Sequence, residues 1–300
     1  MPSTREIRRR IRSTKNVGQI TRAMEMVAAS RMRRAQRNVE SARPYSERMM
    51  RICQQLLRRV VDKTTNPNLF RVEEDIHSVG LIFITPDRGL CGSMVANILR
   101  QTAVFVREQK QQGHEVAVYA IGKKGRDFAR RTRLNLIAEK TQISDPPKLT
   151  DILGVAINAI EDFVDGKHQE IYISYTDFVN TLVQRPTIRR ILPVEIEDID
   201  DHDQGLATLD YTYEPSQKEV LDELLPRIVE SIVYQAVLES IASEHSARMV
   251  AMRNATNNSK ELVRDLTLTY NKLRQSNITQ EITEIATSAV AMEKDRPWHR

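Results

Sequence analysis

Both ends of this chain carry helical periodicity over lengths that a globular fold cannot absorb. One stretch covers residues 3–61 and the other residues 216–292. At a helical rise of about 1.5 Å per residue they would reach roughly 80–90 Å and 110 Å, well beyond the width of the segment between them. The pattern predicts a rod with a head, and with it a mechanical or docking role before a catalytic one.

The first stretch places Val17, Ile20, Met24 and Val27 at 3-4-3 spacing, and Met49, Ile52 and Leu56 repeat it. Such a narrow apolar seam is the mark of a coiled coil rather than of a broad core face. Pro44 is expected to bend or break the helix near Arg43. The second stretch opens on a capping box, Ser216-Gln217-Lys218-Glu219, and continues with Leu221, Leu225, Ile228 and Ile232. Pro226 is expected to kink or restart it. Ile278, Ile282, Ile285, Ala289 and Met292 recur at 4-3-4-3 further on. Between these runs lies a polar stretch, residues 253–260, readable as a loose seam or as a wet part of the rod. The two seams are expected to pack on each other as an antiparallel pair, residues 1–61 against residues 216–292.

Residues 76–215 read as an inserted α/β domain. Buried strands are predicted at 79–85, 115–121 and 170–175, and helices at 93–112, 122–133 and 149–164. A further strand at 181–193 should run antiparallel, because its connection is too short for a crossover. The alternation predicts a small, mostly parallel, Rossmann-like sheet flanked by helices. Asn66-Pro67-Asn68 and residues 195–215 read as loops.

Charge is unevenly placed. Residues 1–59 hold sixteen Lys/Arg and four Asp/Glu, whereas residues 195–203 hold six acids. A basic arm of this kind faces an acidic protein, a nucleic acid or water. Aromatics make up 5% of the chain, with a single tryptophan, Trp298, which argues against a stacking platform for single-stranded nucleic acid. No run of about 18 apolar residues suggests a transmembrane helix. The arginine-rich start has no apolar signal region, and its periodicity continues past residue 50, unlike a presequence. Cys53 and Cys91 form no CxxC and suit a reducing compartment.

The signals for chemistry are thin. Residues 84–93, with Gly89 and Gly92, form a strand–turn–helix that is able to hold an anion but lacks the phosphate-loop and dinucleotide fingerprints. It reads first as a structural turn, and Gly122-Lys123-Lys124-Gly125 reads likewise. The histidines at 77, 114, 168, 202, 245 and 299 have no metal-ligand spacing. Ser243-Glu244-His245 lies within a helix, where adjacent side chains do not face one another. No cofactor or metal is expected.

Three blocks of residues, in order, carry a family resemblance. Ile11-Arg12-Ser13-Thr14-Lys15-Asn16, Ile20-Thr21-Arg22-Ala23-Met24-Glu25-Met26-Val27-Ala28-Ala29-Ser30 and Ala42-Arg43-Pro44-Tyr45 resemble the N-terminal helix of the γ subunits of F-type ATP synthases. Asp87-Arg88-Gly89-Leu90-Cys91-Gly92 resembles the turn of that family's central domain. Ser243-Glu244-His245-Ser246-Ala247-Arg248-Met249, Tyr270-Asn271-Lys272 and Ile278-Thr279-Gln280-Glu281-Ile282-Thr283-Glu284-Ile285 resemble its C-terminal helix.

The resemblance implies an antiparallel coiled coil inside a ring of three α and three β subunits. The α/β domain would stand at the foot, beside ε and on the membrane ring of c subunits. The implied role is a rotor shaft that couples proton flow to the catalytic β subunits, without catalytic residues of its own. The implied location is peripheral, on the cytoplasmic face of a bacterial plasma membrane. Arg248, Gln275 and Thr279 match polar positions that engage a β-subunit loop, and Met24 matches a position near the β subunits' acidic lever. The basic arm then faces protein rather than nucleic acid. Thr287-Ser288-Ala289 stands where many relatives have Ser-Gly-Ala, and the closely spaced cysteines of the chloroplast branch have no counterpart here.

Overall fold

A computed structural model describes residues 3–60, 69, 73, 75–194, 214 and 217–294. The capping box at Ser216, the loop at Asn66-Pro67-Asn68, the acidic segment 195–203 and Trp298 lie outside the described residues. The chain divides into two compact units, residues 28–250 and residues 1–27 with 251–300. The element order is α1 (Thr4–Val60), β1 (Ser78–Ile84), α2 (Met94–Gln111), β2 (Glu115–Ile121), α3 (Lys123–Arg131), β3 (Asn135–Lys140), α4 (Leu149–Val164), β4 (Glu170–Phe178), β5 (Gln184–Leu192) and α5 (Gln217–Lys294).

In the unit of residues 28–250 the five strands lie in the order β3-β2-β1-β4-β5. β1 pairs in parallel with β2 and β4, and β2 with β3, whereas β5 returns antiparallel to β4. The central strands are apolar on both faces because both are covered. On one face Leu81, Phe83, Val116 and Val118 pack with Ile98 and Val106 of α2 and Ala129 of α3. On the other, Ile82, Ile84, Ile121 and Ile173 pack with Ile152, Ala156 and Ile160 of α4, Met49 of α1 and Leu225 to Val237 of α5. This is the doubly wound, Rossmann-like arrangement that the alternation of elements predicts. β3 carries an apolar run of only three residues, Leu136-Ile137-Ala138, too short to mark a strand in the sequence. It is an edge strand of Asn-Leu-Ile-Ala-Glu-Lys that alternates between exposed and half-buried, so neither face offers the hydrophobic signal of a core strand.

Both prolines sit inside continuous helix, Pro44 in α1 and Pro226 in α5. The expected break at either position does not occur. Each ring forfeits one backbone hydrogen bond, but apolar anchors lie on both sides. Val39 and Met49 flank Pro44, and Leu225 and Ile228 flank Pro226.

In the unit formed by residues 1–27 and 251–300, α1 and α5 make an antiparallel helix pair. Glu25 bonds Arg253 at 2.9 Å, Thr21 meets Thr256 at 2.8 Å, and Gly18 lies against Ser259. As the residue number rises on α1 it falls on α5. The seam is not the predicted stripe. Val17, Ile20 and Val27 are exposed, and the positions turned inward are Gly18, Thr21, Glu25 and Ala28, one residue further along. Ile7, Ile11 and Thr14 complete the same seven-residue repeat toward the N-terminus. At Gly18, Thr21 and Ala28 small side chains let the backbones approach, whereas Ile7 and Ile11 fill the seam nearer the N-terminus. A Cβ placed on Gly18 would already sit 3.3 Å from Ser259 Cβ. The polar members remain satisfied: the Thr256 hydroxyl lies 2.9 Å from the Met252 carbonyl, the Thr21 hydroxyl lies 3.1 Å from the Gly18 carbonyl, and one of the two donates across the seam to the other.

The expected seam of Ile278, Ile282 and Ile285 is also unpaired. These side chains are 47%, 61% and 70% exposed. With the observed register Thr4 falls opposite Leu273, so α1 begins where α5 still has twenty-one residues to run. From residue 274 to residue 289 every side chain of α5 is exposed. The polar stretch 253–260 resolves into both of its readings. Thr256 and Ser259 face the seam, and Asn254, Asn257 and Asn258 face water.

Gly18→Leu should cost about 1–3 kcal/mol by forcing the helices apart, whereas Val17→Ser should stay within about 0.5 kcal/mol. Chemical denaturation of the two variants separates the observed seam from the predicted one. At Gly122 (φ +100°) a Cβ would fall 1.8 Å from the Thr85 carbonyl oxygen, so Gly122→Ala should lose more than about 3 kcal/mol in the same assay.

Candidate functional site

In open α/β sheets ligands bind outside the C-terminal ends of the strands, where the strand order reverses. Here that point lies between β1 and β4, and α5 itself bonds the end of β4 and the turns around it. Ser243 Oγ donates to the Thr176 carbonyl at 3.2 Å, Ser246 Oγ to the Thr181 carbonyl at 2.6 Å, and Arg248 Nη2 to the Gly89 carbonyl at 3.1 Å. Ala247 packs with Cys91 and Met94. Ser243 and Ser246 are fully buried, so the small side chains of this stretch let the helix backbone lie close to the sheet. Ser243, Glu244 and His245 do not form a catalytic triad. Glu244 bonds Arg248 at 2.6 Å, and His245 Nε2 bonds Asp145 Oδ2 at 3.1 Å.

The glycine turns are structural. At the start of α3, where free amides would attract a phosphate, Lys123 N–H donates to Asp87 Oδ1 at 2.8 Å, Lys124 N–H to the Pro86 carbonyl at 3.2 Å, and Gly125 N–H to Thr85 Oγ1 at 2.7 Å. The Asp87 carboxylate already stands where an anion would. Residue 90 is a leucine held at φ 63°, beside Gly92 at φ 59°, and this sharp turn tucks the Cys91 side chain inward. Burial, and next the Glu244 carboxylate, raise the Cys91 thiol above its usual range, which makes it a poor nucleophile.

A second buried network escaped sequence reasoning. Tyr119 donates to Asp162 Oδ2, His168 Nε2 meets the Tyr119 hydroxyl at 3.0 Å, Ser78 Oγ meets His168 Nδ1 at 2.8 Å, and Lys167 bonds Asp162 at 2.7 Å. Burial, followed by the bond to Asp162, raises the Tyr119 phenol, and burial lowers the His168 imidazole. These residues are scattered over ninety positions of sequence and share no spacing, so no motif announces them. Among the described residues no group of three His, Cys, Asp or Glu is placed to hold a metal ion, and no helix is long and apolar enough to cross a membrane.

The four residues singled out as partner contacts do not form one cluster. Met24 is half-buried beside the Glu25–Arg253 pair. Gln275 lies roughly 30 Å further along α5. Gln275 and Thr279 are exposed, and the Thr279 hydroxyl donates to the Gln275 carbonyl at 2.9 Å. Arg248 is largely buried and engaged with Glu244 and Gly89. The helix pair instead turns outward a set of large apolar side chains, among them Val17, Ile20, Met26, Leu262 and Leu268. The arginines at positions 8, 9, 10 and 12 are likewise outward or half-exposed. Exposed apolar side chains in this number are expected of a surface that another protein covers.

Residues 3–292 match the family described as ATP synthase. ATP synthase gamma chains of Roseiflexus castenholzii and Chloroflexus aurantiacus are each 59% identical over 97% of this chain and 99% of their own length. That of Dehalococcoides mccartyi is 44% identical over 97% of this chain and all of its own. The chain belongs to the ATP synthase gamma family. Its fold is also that of a chain in the Euglena gracilis mitochondrial ATP synthase, a structure of OSCP, F1 and c-ring, with a TM-score of 0.62 at 20% identity over 99% of this chain and 97% of the other. A Tetrahymena thermophila mitochondrial central stalk and c-ring structure gives 0.57 at 22% identity, covering 79% and 99%.

The joint at Ser243–Arg248 is thus where a gamma-family helix grips its own α/β domain. Arg248→Ala should cost about 1.5–3 kcal/mol, because it strips a charged donor from a carbonyl and a carboxylate, measured by urea denaturation. Burial, partly offset by Glu244 and Asp145, lowers the His245 imidazole. The folded state therefore favours the neutral ring. Its stabilisation is complete above the ordinary histidine value of about 6.5 and is lost as pH falls through the lower, folded value. His245→Gln should flatten the acid limb of a stability–pH curve below about pH 6.5.

Proposed function

We propose that this chain is the rotating shaft of an ATP synthase and couples proton flow through the membrane sector to the catalytic β subunits. Residues 1–61 and 216–292 form the shaft in this reading, and residues 76–215 the foot. The partners are three α and three β subunits around the shaft, with ε and the c-ring at the foot. The chain is peripheral to the cytoplasmic face of a bacterial plasma membrane, and the nucleotide chemistry belongs to the β subunits. Family membership supports the assembly, and gamma chains of bacteria are the relatives at 59% identity.

The observation that carries this reading is the inversion of the helix pair. Small residues face inward at Gly18 and Thr21, while Val17, Ile20 and Val27 face out. A free coiled coil buries its largest apolar side chains in its own seam. One that presents them outward is built to sit inside another protein. Its two helices are unlike in sequence and length, so the object at the centre is asymmetric. A shaft acts on its surroundings as a ligand does, by contacting their conformations unequally. Three identical β subunits can then be held in three different states.

Of the proposed β-subunit contacts, Gln275 and Thr279 stand on the exposed run of α5 beyond α1, and Met24 lies at the edge of the seam. Arg248 is assigned an indirect part, because its guanidinium is already held by Glu244 and Gly89.

Mixing the purified chain with α and β subunits should yield an ATPase that neither the chain nor the other subunits show alone. Met24→Lys should lower proton-driven ATP synthesis severalfold while leaving assembly intact. A chain that hydrolyses ATP by itself, or that fails to join an active complex, would overturn the reading.

A further inference from the structure

One carboxylate is bonded to both terminal helices. Asp145 lies in the connection between β3 and α4, and its Oδ2 accepts from His245 Nε2 of α5 at 3.1 Å and faces Arg31 Nη1 of α1 at 3.4 Å. We infer that Asp145 is a positioning residue of the rotor, a clasp that holds α1 and α5 in fixed phase against the α/β domain while load passes between them. The inference rests on the shaft reading above and deepens it.

The surrounding bonds show why such a clasp is needed. Ser243 ties α5 to the end of β4, and Ser246 and Arg248 tie it to the neighbouring turns, each through a backbone carbonyl. None of these bonds reaches α1. At this level α1 meets α5 through Ala35 and Val39 against Leu238 and Ala242. Contacts between small apolar side chains resist separation but are non-directional, so they oppose sliding and rolling poorly. A hydrogen bond and an ion pair that share one carboxylate are directional and tie both helices to a loop of the α/β domain.

The two arms of the clasp differ. His245 is 5% exposed and its Nδ1 is buried without a partner, so Nε2 alone anchors the ring. In the neutral ring that nitrogen must carry the proton in order to donate to Asp145. The Arg31 arm is about half exposed and is screened by salt. Four charged groups face the imidazole. Asp145 and Glu244 favour its charged form, and Arg248 of α5 and Arg31 of α1 oppose it.

The test uses the complete ATP synthase carrying this chain, reconstituted in vesicles, with protons pumped per ATP hydrolysed as the readout. Asp145→Asn should lower that ratio at least twofold, and Asp145→Glu should restore most of it. In the full-length chain, Asp145→Asn should also move the His245 ring titration, followed by NMR, to lower pH, because a carboxylate that favours the charged ring is gone. An unchanged pumping ratio for Asp145→Asn overturns the clasp. If that variant fails to assemble, His245→Leu and Arg31→Gln take its place; a lowered ratio in either supports the clasp, and an unchanged ratio in both overturns it. Failure of the wild-type chain to assemble overturns the shaft reading and the clasp together, whereas normal wild-type coupling with a normal Asp145→Asn ratio overturns the clasp alone.

Discussion

Close approach of two helices through small side chains is the constraint on which the rest of this structure depends. Gly18 lies against Ser259 and Thr21 against Thr256, and within residues 28–250 Ala35 and Ala42 take the corresponding positions on α1. Small residues bring backbones together and leave little side-chain volume in the seam. The large apolar residues of the same helix are thereby released to the outside. A seam of valine, isoleucine and methionine would have made a more self-sufficient coiled coil with a duller surface. The observed seam gives up some self-sufficiency for a surface that another protein can use.

The α/β domain shows the same exchange. Its sheet is doubly wound, and the strand ends where such sheets hold ligands are bonded instead by Ser243, Ser246 and Arg248 of α5. Asp87, Pro86 and Thr85 take the amides at the start of α3. A fold that elsewhere serves to bind nucleotides here serves to grip a helix. Function lives in the site rather than in the fold, and this site consists of bonds from one part of the chain to another.

Much of the fold was readable before the structure. The alternation of β-branched runs with amphipathic helices placed four of the five strands and the three short helices, because strands covered on both faces show as continuous apolar runs and amphipathic helices as a 3.6-residue period. β3 escaped because an edge strand with half-exposed faces carries little of either signal. Pro44 and Pro226 leave their helices unbroken, since one lost backbone bond is outweighed by packing on both sides. The seam lies one residue beyond the expected stripe, because periodicity locates the apolar face without saying what covers it. At the joint, Ser243 to His245 stands out in sequence only as a triad that helix geometry excludes, and Ser246 to Arg248 only through family resemblance. Asp145, one hundred residues from His245, carried no signal at all.

The sequence by itself determined the class of this protein: two long terminal helices, a parallel sheet between them, and motif blocks in the order of the ATP synthase gamma family. These are local properties, written in spacing and propensity. Only the tertiary structure decided which face of α1 meets α5, where that pairing stops, and which carboxylate ties both helices to the sheet. These depend on contacts between residues far apart in the chain. The free energy of such contacts is set by how closely two backbones can approach, and no single stretch of sequence records that.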